Sequence, residues 1–434
     1  MRFFSALGEF MMAGARAHAN WEINNANIIM GSRRRLCVLV AMLIPVVLGL
    51  MAGFVFADDL GRALPGSLGG KSAYTPAFYS TGIFVVSILI GLVAGLITGC
   101  IGAGGGFIIA PALMSAGVKG ILAVGTDLFH IFAKAIMGSV LHRKLGNVNV
   151  LLAVVFLIGA ILGASLGGYI NRVLYDINPV LSDAFITTIY SVMLGFLGIY
   201  ALVDFLRARR VQKGKPFSGD KGQDSRAEGV DMGGLPRRVQ KARIPPKIKF
   251  DEDITPGGRS VSWLFLVLSG ALVGMAAGIM GVGGGFLTFP IFVYVLGVSS
   301  ATTVGTDIFQ IIFTAGYASI SQYAIYGFIF YTLAMGMLIG SLLGIQLGAM
   351  VTKVVPGITI RGFYATAVLS GFVNRIFALP SKLTDMDIIA LSPAWCKGLE
   401  QFGNYAFFIV LGLFAVWVLF TFFKNIPVLR GREA

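Results

Sequence analysis

The sequence predicts an all-α polytopic membrane protein that contains two inverted-topology repeats. Only 12% of its 434 residues are charged and 56% are hydrophobic, whereas an ordinary soluble domain carries about 25% charged residues. Uncharged runs recur along the chain, and each reaches the ~20 residues that a bilayer-spanning helix needs. A glycine-rich segment also occurs twice, as GCIGAGGGFIIAP at 99–111 and as GIMGVGGGFLTFP at 278–290.

The first apolar run, 36–57, follows three consecutive arginines, Arg33 to Arg35. Lys and Arg are enriched on the cytoplasmic side of a membrane, so we expect residues 1–35 to be cytoplasmic. The run is too long for the core of a signal peptide. It therefore predicts an extra transmembrane helix that stays attached and carries the chain outside.

The first repeat, predicted at 81–206, begins with a run that glycines interrupt. Residues 81–118 carry no charge, yet this run contains three consecutive glycines, which weaken a helix. Residues 106–118 would form about 20 Å of helix, too short for a ~30 Å hydrocarbon core. We therefore expect 81–118 to form a hairpin that returns to the face it entered. Three spans follow, and each basic cluster then lies inside: 120–141, 148–170 and 184–206.

Residues 207–260 form a basic linker that we expect to be cytoplasmic. Between 207 and 259 there are fourteen Lys and Arg against seven Asp and Glu, with many Gly and Pro and no hydrophobic periodicity. This composition favours a mostly disordered segment whose charge reflects membrane topology and attraction to anionic headgroups. A regulatory partner for the linker is the alternative, and nucleic acid is not expected.

The second repeat, predicted at 261–380, follows the same plan in the opposite orientation. It comprises a hairpin at 261–297 and spans at 300–323, 328–351 and 358–379; a C-terminal transmembrane helix at 405–423 ends inside. AVGTDLF at 123–129 matches TVGTDIF at 303–309. Glycine also recurs every fourth residue in the spans at 148–170 and 328–351, which favours close helix packing. The matching positions are Gly159, Gly163, Gly167 and Gly340, Gly344, Gly348.

Interrupted helices in matching positions of two repeats indicate a transporter binding site near the midplane. The broken backbone offers N–H groups and a positive helix end to an anion, with close packing of the hairpins as the alternative. Ionisable residues at such depth are functional candidates, although Asp127 and Lys134 could also form a structural charge pair. The second half has Thr314 in place of Lys134, so the site is expected to be asymmetric. The candidate substrate-binding residues are Gly102, Gly104, Gly105, Gly106, Thr126, Asp127, Lys134, Gly281, Gly283, Gly284, Gly285, Thr306 and Asp307.

Enzyme and cofactor motifs are missing from the sequence. GAGGGF lacks the Lys-Ser/Thr of a phosphate-binding loop, and Phe107 occupies the last glycine position of GxGxxG. The three cysteines and three histidines match no metal pattern. We therefore expect no enzyme activity, no cofactor and no metal, and the expected partners are a small anion and the lipid bilayer. Arg375 is a further candidate contact for an anion.

Two GxGGGFxxxP segments, each followed by VGTD, together with TDLFHIFAK and HRKLGNV, resemble the TauE/SafE family of membrane permeases. The resemblance covers 81 to about 375, without the linker. It implies export of a small sulfur-containing anion, sulfite or an organosulfonate such as sulfoacetate, across the bacterial inner membrane. Alternating access is the expected mechanism, and proton-coupled uptake of a small organic anion is the alternative that the buried aspartates favour.

Overall fold

The computed structural model describes residues 81–101, 105–144, 148–213, 234–242, 244–251, 258–351, 354–355 and 357–425. The predicted span at 36–57 and the glycines Gly102 and Gly104 lie outside these ranges. Within them, seven helices are long and apolar enough to cross a membrane. The prediction of a predominantly helical, multi-pass membrane protein is therefore confirmed.

The first half contains five helices, which follow the predicted hairpin and spans closely. They are α1 (Thr81–Ile101), α2 (Gly106–Ser115), α3 (Gly120–Lys144), α4 (Val150–Ile177) and α5 (Pro179–Lys213). Asn149 begins α4, because its side chain accepts a hydrogen bond of 3.0 Å from the Leu152 N–H. Helix α5 extends beyond 206, so the basic cluster at 207–210 continues a membrane helix and does not begin a loop.

The described part of the linker is ordered, so the prediction of a mostly disordered segment is wrong for those residues. It contains α6 (Gly234–Lys241) and a two-stranded antiparallel sheet of β1 (Lys247–Phe250) and β2 (Arg259–Ser262), in which Lys247 pairs with Ser262. Phe250 and Val261 are buried, and they belong to the same apolar cluster as Phe292 of the second half. The alternation in KIKF was the sequence signal for a half-buried strand.

The second half repeats the order of the first, and two of its helices continue as π-helical turns. The elements are α7 (Trp263–Met280), α8 (Gly285–Pro290) with its π turn Ile291–Leu296, α9 (Ser300–Tyr317) with its π turn Ala318–Ala324, α10 (Tyr331–Val351) and α11 (Gly357–Thr384). The last helix, α12 (Pro393–Lys424), begins twelve residues before the predicted span at 405. Ser392 caps it, and its polar first turns are why an apolar window missed this start.

The closest helix contacts join the two halves to each other. Helix α1 runs parallel to α10, and α4 runs parallel to α7. A Cβ added at Gly159 would lie 1.9 Å from the Val267 carbonyl oxygen, and one at Gly340 would lie 2.1 Å from that of Ile88. These distances confirm that the repeated glycines allow close helix packing.

Equivalent helices of the two halves also contact each other. Gly195 of α5 packs against Phe372 of α11, whereas Gly362, earlier in α11, packs against Phe205, later in α5. The two helices therefore run antiparallel. Bulky apolar side chains on α4, α5 and α12 are exposed, which is the surface expected to face lipid; they include Leu162, Leu166, Val192, Phe196 and Leu413.

Candidate functional site

Both glycine-rich breaks reverse the direction of the chain. A Cβ at Gly105 would lie 2.8 Å from the Ala94 carbonyl oxygen, and one at Gly284 would lie 2.5 Å from Cγ1 of Val273. Each contacted residue is eleven positions earlier, a separation of about 16 Å in a continuous helix. The chain therefore folds back at each break, as the hairpin prediction requires.

Backbone geometry explains the glycines of the second break. Gly281, Gly283 and Gly284 have φ values of 79°, 65° and 86°, in the left-handed region that side chains disfavour. Gly105 of the first break has a φ of −23°, so it is needed for close approach to α1 and not for left-handed geometry. The described candidate glycines thus have a packing or conformational role in this structure.

The two breaks contact each other beside α3. A Cβ at Gly106 would lie 3.1 Å from both Cα of Val282 and Cδ1 of Ile131, and Ile131 also packs on Gly283. Gly281 in turn approaches Val124, one helical turn from the VGTD aspartate. Residues from both hairpins and α3 therefore enclose one buried region.

A hydroxyl group and a lysine meet at the first break. The Gly105 N–H donates to Oγ1 of Thr98 at 2.7 Å, and Nζ of Lys134 donates to the same oxygen at 3.4 Å. The backbone N–H that the sequence offered to an anion is thus bound to a side chain. Thr98 was missed because it lies seven residues before Gly105 in an apolar helix, where a lone threonine carries no local signal. The second half has Ala277 at the matching position.

Asp127 is buried on the face of α3 that also carries Lys134. Neither of its carboxyl oxygens has a hydrogen-bond partner in the described part of the chain. Nδ1 of His130 lies 3.6 Å from Oδ1 of Asp127. Nε2 of His130 contacts Oγ of Ser341 at 2.9 Å. A carboxyl group so poorly solvated is costly at this depth, which marks it as a functional candidate.

The second aspartate has different surroundings. Nε2 of Gln310 donates to Oδ1 of Asp307 at 2.9 Å, and Oγ1 of Thr314 donates to Oε1 of Gln310 at 2.7 Å. Oδ2 of Asp307 lies 3.1 Å from the position that a Cβ would take at Gly285, the first residue of α8. A carboxyl group thus faces the start of α8, and it disfavours an anion there.

The two candidate threonines bind backbone groups of the opposite half. Oγ1 of Thr126 accepts the Phe330 N–H at 2.9 Å, and Oγ1 of Thr306 accepts the Asn149 N–H at 3.1 Å. Phe330 and Asn149 occupy matching positions immediately before α10 and α4. Thr126 therefore fixes the start of α10, and Thr306 fixes the start of α4.

Side chains also satisfy the carbonyl groups where α7 ends. Asn171 donates to the Ile279 carbonyl at 2.9 Å, Tyr190 donates to that of Met280 and Tyr323 donates to that of Gly278. An unsatisfied carbonyl group costs on the order of several kcal/mol in lipid. These three residues were missed because they come from α4, α5 and the π turn after α9, far from Met280 in sequence.

Comparisons with known proteins agree with this architecture. A family model described as "Sulfite exporter TauE/SafE" matches residues 87–374. Probable membrane transporter protein YunE of Bacillus subtilis is 24% identical over 278 residues, which cover 62% of this chain and 89% of that protein. Probable membrane transporter protein YjnA of the same organism is 25% identical over 265 residues, 60% of this chain and 87% of that protein. No solved structure gave a significant match.

Proposed function

Because the chain belongs to the sulfite exporter TauE/SafE family, we propose that it exports a small sulfur-containing anion. The proposed substrates are sulfite and organosulfonates such as sulfoacetate, and the proposed location is a bacterial inner membrane with both termini cytoplasmic. The two relatives are likewise named as probable membrane transporters. The role that we assign is transport and not catalysis.

The observation that carries the proposal is the position of Lys134 at the first break. Its ammonium group reaches Thr98, which also binds the Gly105 N–H. An ammonium, a hydroxyl and a backbone N–H are the donor types that oxyanions accept, and a charged donor makes the strongest of these hydrogen bonds. In the proposed site, a substrate oxygen takes the place that Thr98 has beside Lys134, and the polar side chains of both VGTD motifs adjoin it.

We further propose that the two halves are inverted repeats that alternate access to this site. The antiparallel packing of α5 on α11 supports opposite orientations of the halves. The reciprocal bonds from Thr126 and Thr306 support a two-fold relation between them. In such transporters one repeat moves against the other around a site between the broken helices.

Membrane potential favours the outward direction. Each negative charge that leaves an inside-negative cell gains ~2.3 kcal/mol per 100 mV. A dianion thus gains about 4.6 kcal/mol, which sustains a gradient of roughly three decades by the tenfold-per-1.4 kcal/mol rule. Export of this kind needs no coupled ion.

The test is sulfite and sulfoacetate flux through the full-length protein in liposomes. We expect an inside-negative voltage to speed efflux, and Lys134→Ala to abolish most of it while the protein still purifies as a folded species. Gly105→Leu should also stop flux, because its side chain meets α1. A Cβ at Gly412 would meet nothing within 4 Å, so Gly412→Leu serves as the control. Flux like that of the wild type in Lys134→Ala would refute the site.

Asp127 supports a second candidate, proton-coupled uptake of a small organic anion. Its carboxyl group is buried and without a hydrogen-bond partner in the described chain, which suits a group that gains and loses a proton. Coupled uptake predicts flux that follows an imposed pH gradient and an Asp127→Asn variant that ignores it. Flux that follows voltage alone would exclude this candidate.

A further inference from the structure

We propose that Arg375 forms a second anion-binding site, distinct from the Lys134 site, where α2 ends against α11. The identity of the anion rests on the proposed function: an oxyanion or sulfonate on its way to or from the breaks. The site would act as a station on the transport path at the face of the membrane where α2 ends.

Arg375 is a buried cation that forms no salt bridge with the described residues, although Asp183 and Glu400 interact with it electrostatically from further away. It is 3% exposed, and its guanidinium donates to Oδ1 of Asn374 at 2.7 Å through Nε and to Oγ of Ser115 at 2.7 Å through Nη2. No carboxylate of the described residues lies within 4.0 Å of it. A buried charge is costly in a membrane protein unless it is paired or serves a pathway.

Other basic residues near the same end of the helices have partners. Nζ of Lys382 lies 3.7 Å from Oδ2 of Asp183. Nη1 of Arg172 donates to the Gln322 carbonyl at 2.8 Å, and its guanidinium lies over the Tyr326 ring. Arg375 differs from Lys382 because no carboxylate of the described residues lies within salt-bridge distance of it, and from the half-buried Arg172 because it is buried.

Neutral groups hold the guanidinium in one orientation. Nδ2 of Asn374 donates to Oδ1 of Asn404 at 2.8 Å, which links α11 to α12 and turns Oδ1 of Asn374 toward Arg375. Ser115 also donates to Oδ1 of Asn374 at 3.2 Å. A fixed planar guanidinium suits two oxygens of one sulfonate or sulfite group, which it can bind through parallel hydrogen bonds.

The position of Arg375 suits a pathway. Its partner Ser115 is the last residue of α2, whose first residue, Gly106, lies at the junction of the breaks, about 14 Å away along the helix. Lys382 follows Arg375 by two turns of α11, on the same helix face and closer to the exposed end. Cations therefore occur at three successive depths: Lys382, Arg375 and Lys134.

Electrostatics link this site to the centre of the molecule. Both Arg375 and Asp127 lie close enough to Tyr190 to interact electrostatically with its hydroxyl group. Tyr190 binds the Met280 carbonyl at the second break. An anion beside Arg375 would therefore adjoin the polar groups of the break region. The second half has Tyr294 in the position of Ser115, so the site exists at one face of the membrane only.

The experiment compares sulfite flux in liposomes for Arg375→Gln, Arg375→Lys and the control Arg172→Gln. We expect Arg375→Gln to raise the half-saturating sulfite concentration about tenfold, the loss typical of one charge-assisted hydrogen bond, and to leave the maximal rate within about twofold. Arg375→Lys should give a smaller rise, since lysine keeps the positive charge but lacks the planar guanidinium that binds two oxygens. Arg172→Gln should stay close to the wild type.

An unchanged half-saturating concentration in Arg375→Gln would overturn the site, and a fall in melting temperature alone would assign Arg375 a structural role. If Arg375→Gln does not fold, Ser115→Ala replaces it; we expect about a threefold rise, and no rise would equally overturn the proposal. A wild type that carries no sulfur anion would refute the proposed function. Protection of that wild type, but not of Arg375→Gln, against thermal unfolding by sulfate would still support the Arg375 site.

Discussion

The third helix of each half carries polar residues at the same three positions, and the two sets behave differently. On α3 they are Asp127, His130 and Lys134; on α9 they are Asp307, Gln310 and Thr314. The α9 set forms one chain of hydrogen bonds and has no basic member. In the α3 set, Asp127 and His130 approach each other, His130 also contacts Ser341, and Lys134 donates to Thr98.

The two halves therefore share a backbone frame and differ in the side chains that line it. Both halves keep the break, the close helix pair and the reciprocal threonine bond, because each is a backbone requirement. Charge is concentrated in the first half, where the lysine finds Thr98. In the proposed site, a substrate anion would therefore meet a lysine on α3 and a threonine at the matching position of α9.

The largest expected effect comes from moving the lysine between the halves. Lys134→Thr gives α3 the residue of α9, and we expect flux to fall roughly a hundredfold, in line with the ~3 kcal/mol of a charged hydrogen bond. Adding Thr314→Lys should not restore flux, since Ala277 stands where α1 has Thr98. Recovery in the double variant, measured as liposome flux, would mean that the halves are chemically interchangeable.

The shared frame is tested by the glycines that face carbonyl oxygens. Gly159→Ala and Gly340→Ala should each destabilise the protein by about 1–3 kcal/mol or more, because the added methyl group overlaps a backbone oxygen. Thermal unfolding in detergent measures both, with Gly412→Ala as the control in open space. A large effect in only one half would show that the two close helix pairs are not equivalent.

The two aspartates should respond unequally to loss of charge. With Asp127→Asn, the positive charge of Lys134 is less balanced, so we expect a lower half-saturating sulfite concentration and about a tenfold lower maximal rate. Asp307→Asn keeps an oxygen for the Gln310 amide, so a change of about twofold is expected. Liposome flux measured over a series of sulfite concentrations tests this. Equal losses of maximal rate in the two variants would contradict the asymmetry.

The smallest effects are expected from the reciprocal threonines. Thr126→Val and Thr306→Val each remove one acceptor from a buried backbone N–H, at a cost of about 1–3 kcal/mol in stability. Thr126→Ser and Thr306→Ser should retain the bond and serve as controls. Melting temperatures that fall by similar amounts would support the two-fold relation. Loss of flux without loss of stability would instead support the predicted role of the threonines in substrate binding.

Much of the fold followed from the sequence. Uncharged runs of about twenty residues are a requirement of the bilayer itself, so they located most of the apolar helices. Two helices predicted as arms of hairpins, α1 and α7, are themselves long enough to cross a membrane. Glycine acts on the backbone at its own position, so the doubled motif located both chain reversals. The family likewise followed from motifs that are contiguous in the chain.

The tertiary structure alone decided which groups meet. Thr98 binds a glycine seven residues away, while Asn171, Tyr190 and Tyr323 reach the end of α7 across about 40 to 110 residues, pairings that no local periodicity encodes. The same holds for the linker, where Asp251 accepts the Ser299 N–H at 2.8 Å and so caps the start of α9. Polar groups inside a membrane need hydrogen-bond partners from distant parts of the chain, and these partners come together only once the helices have packed.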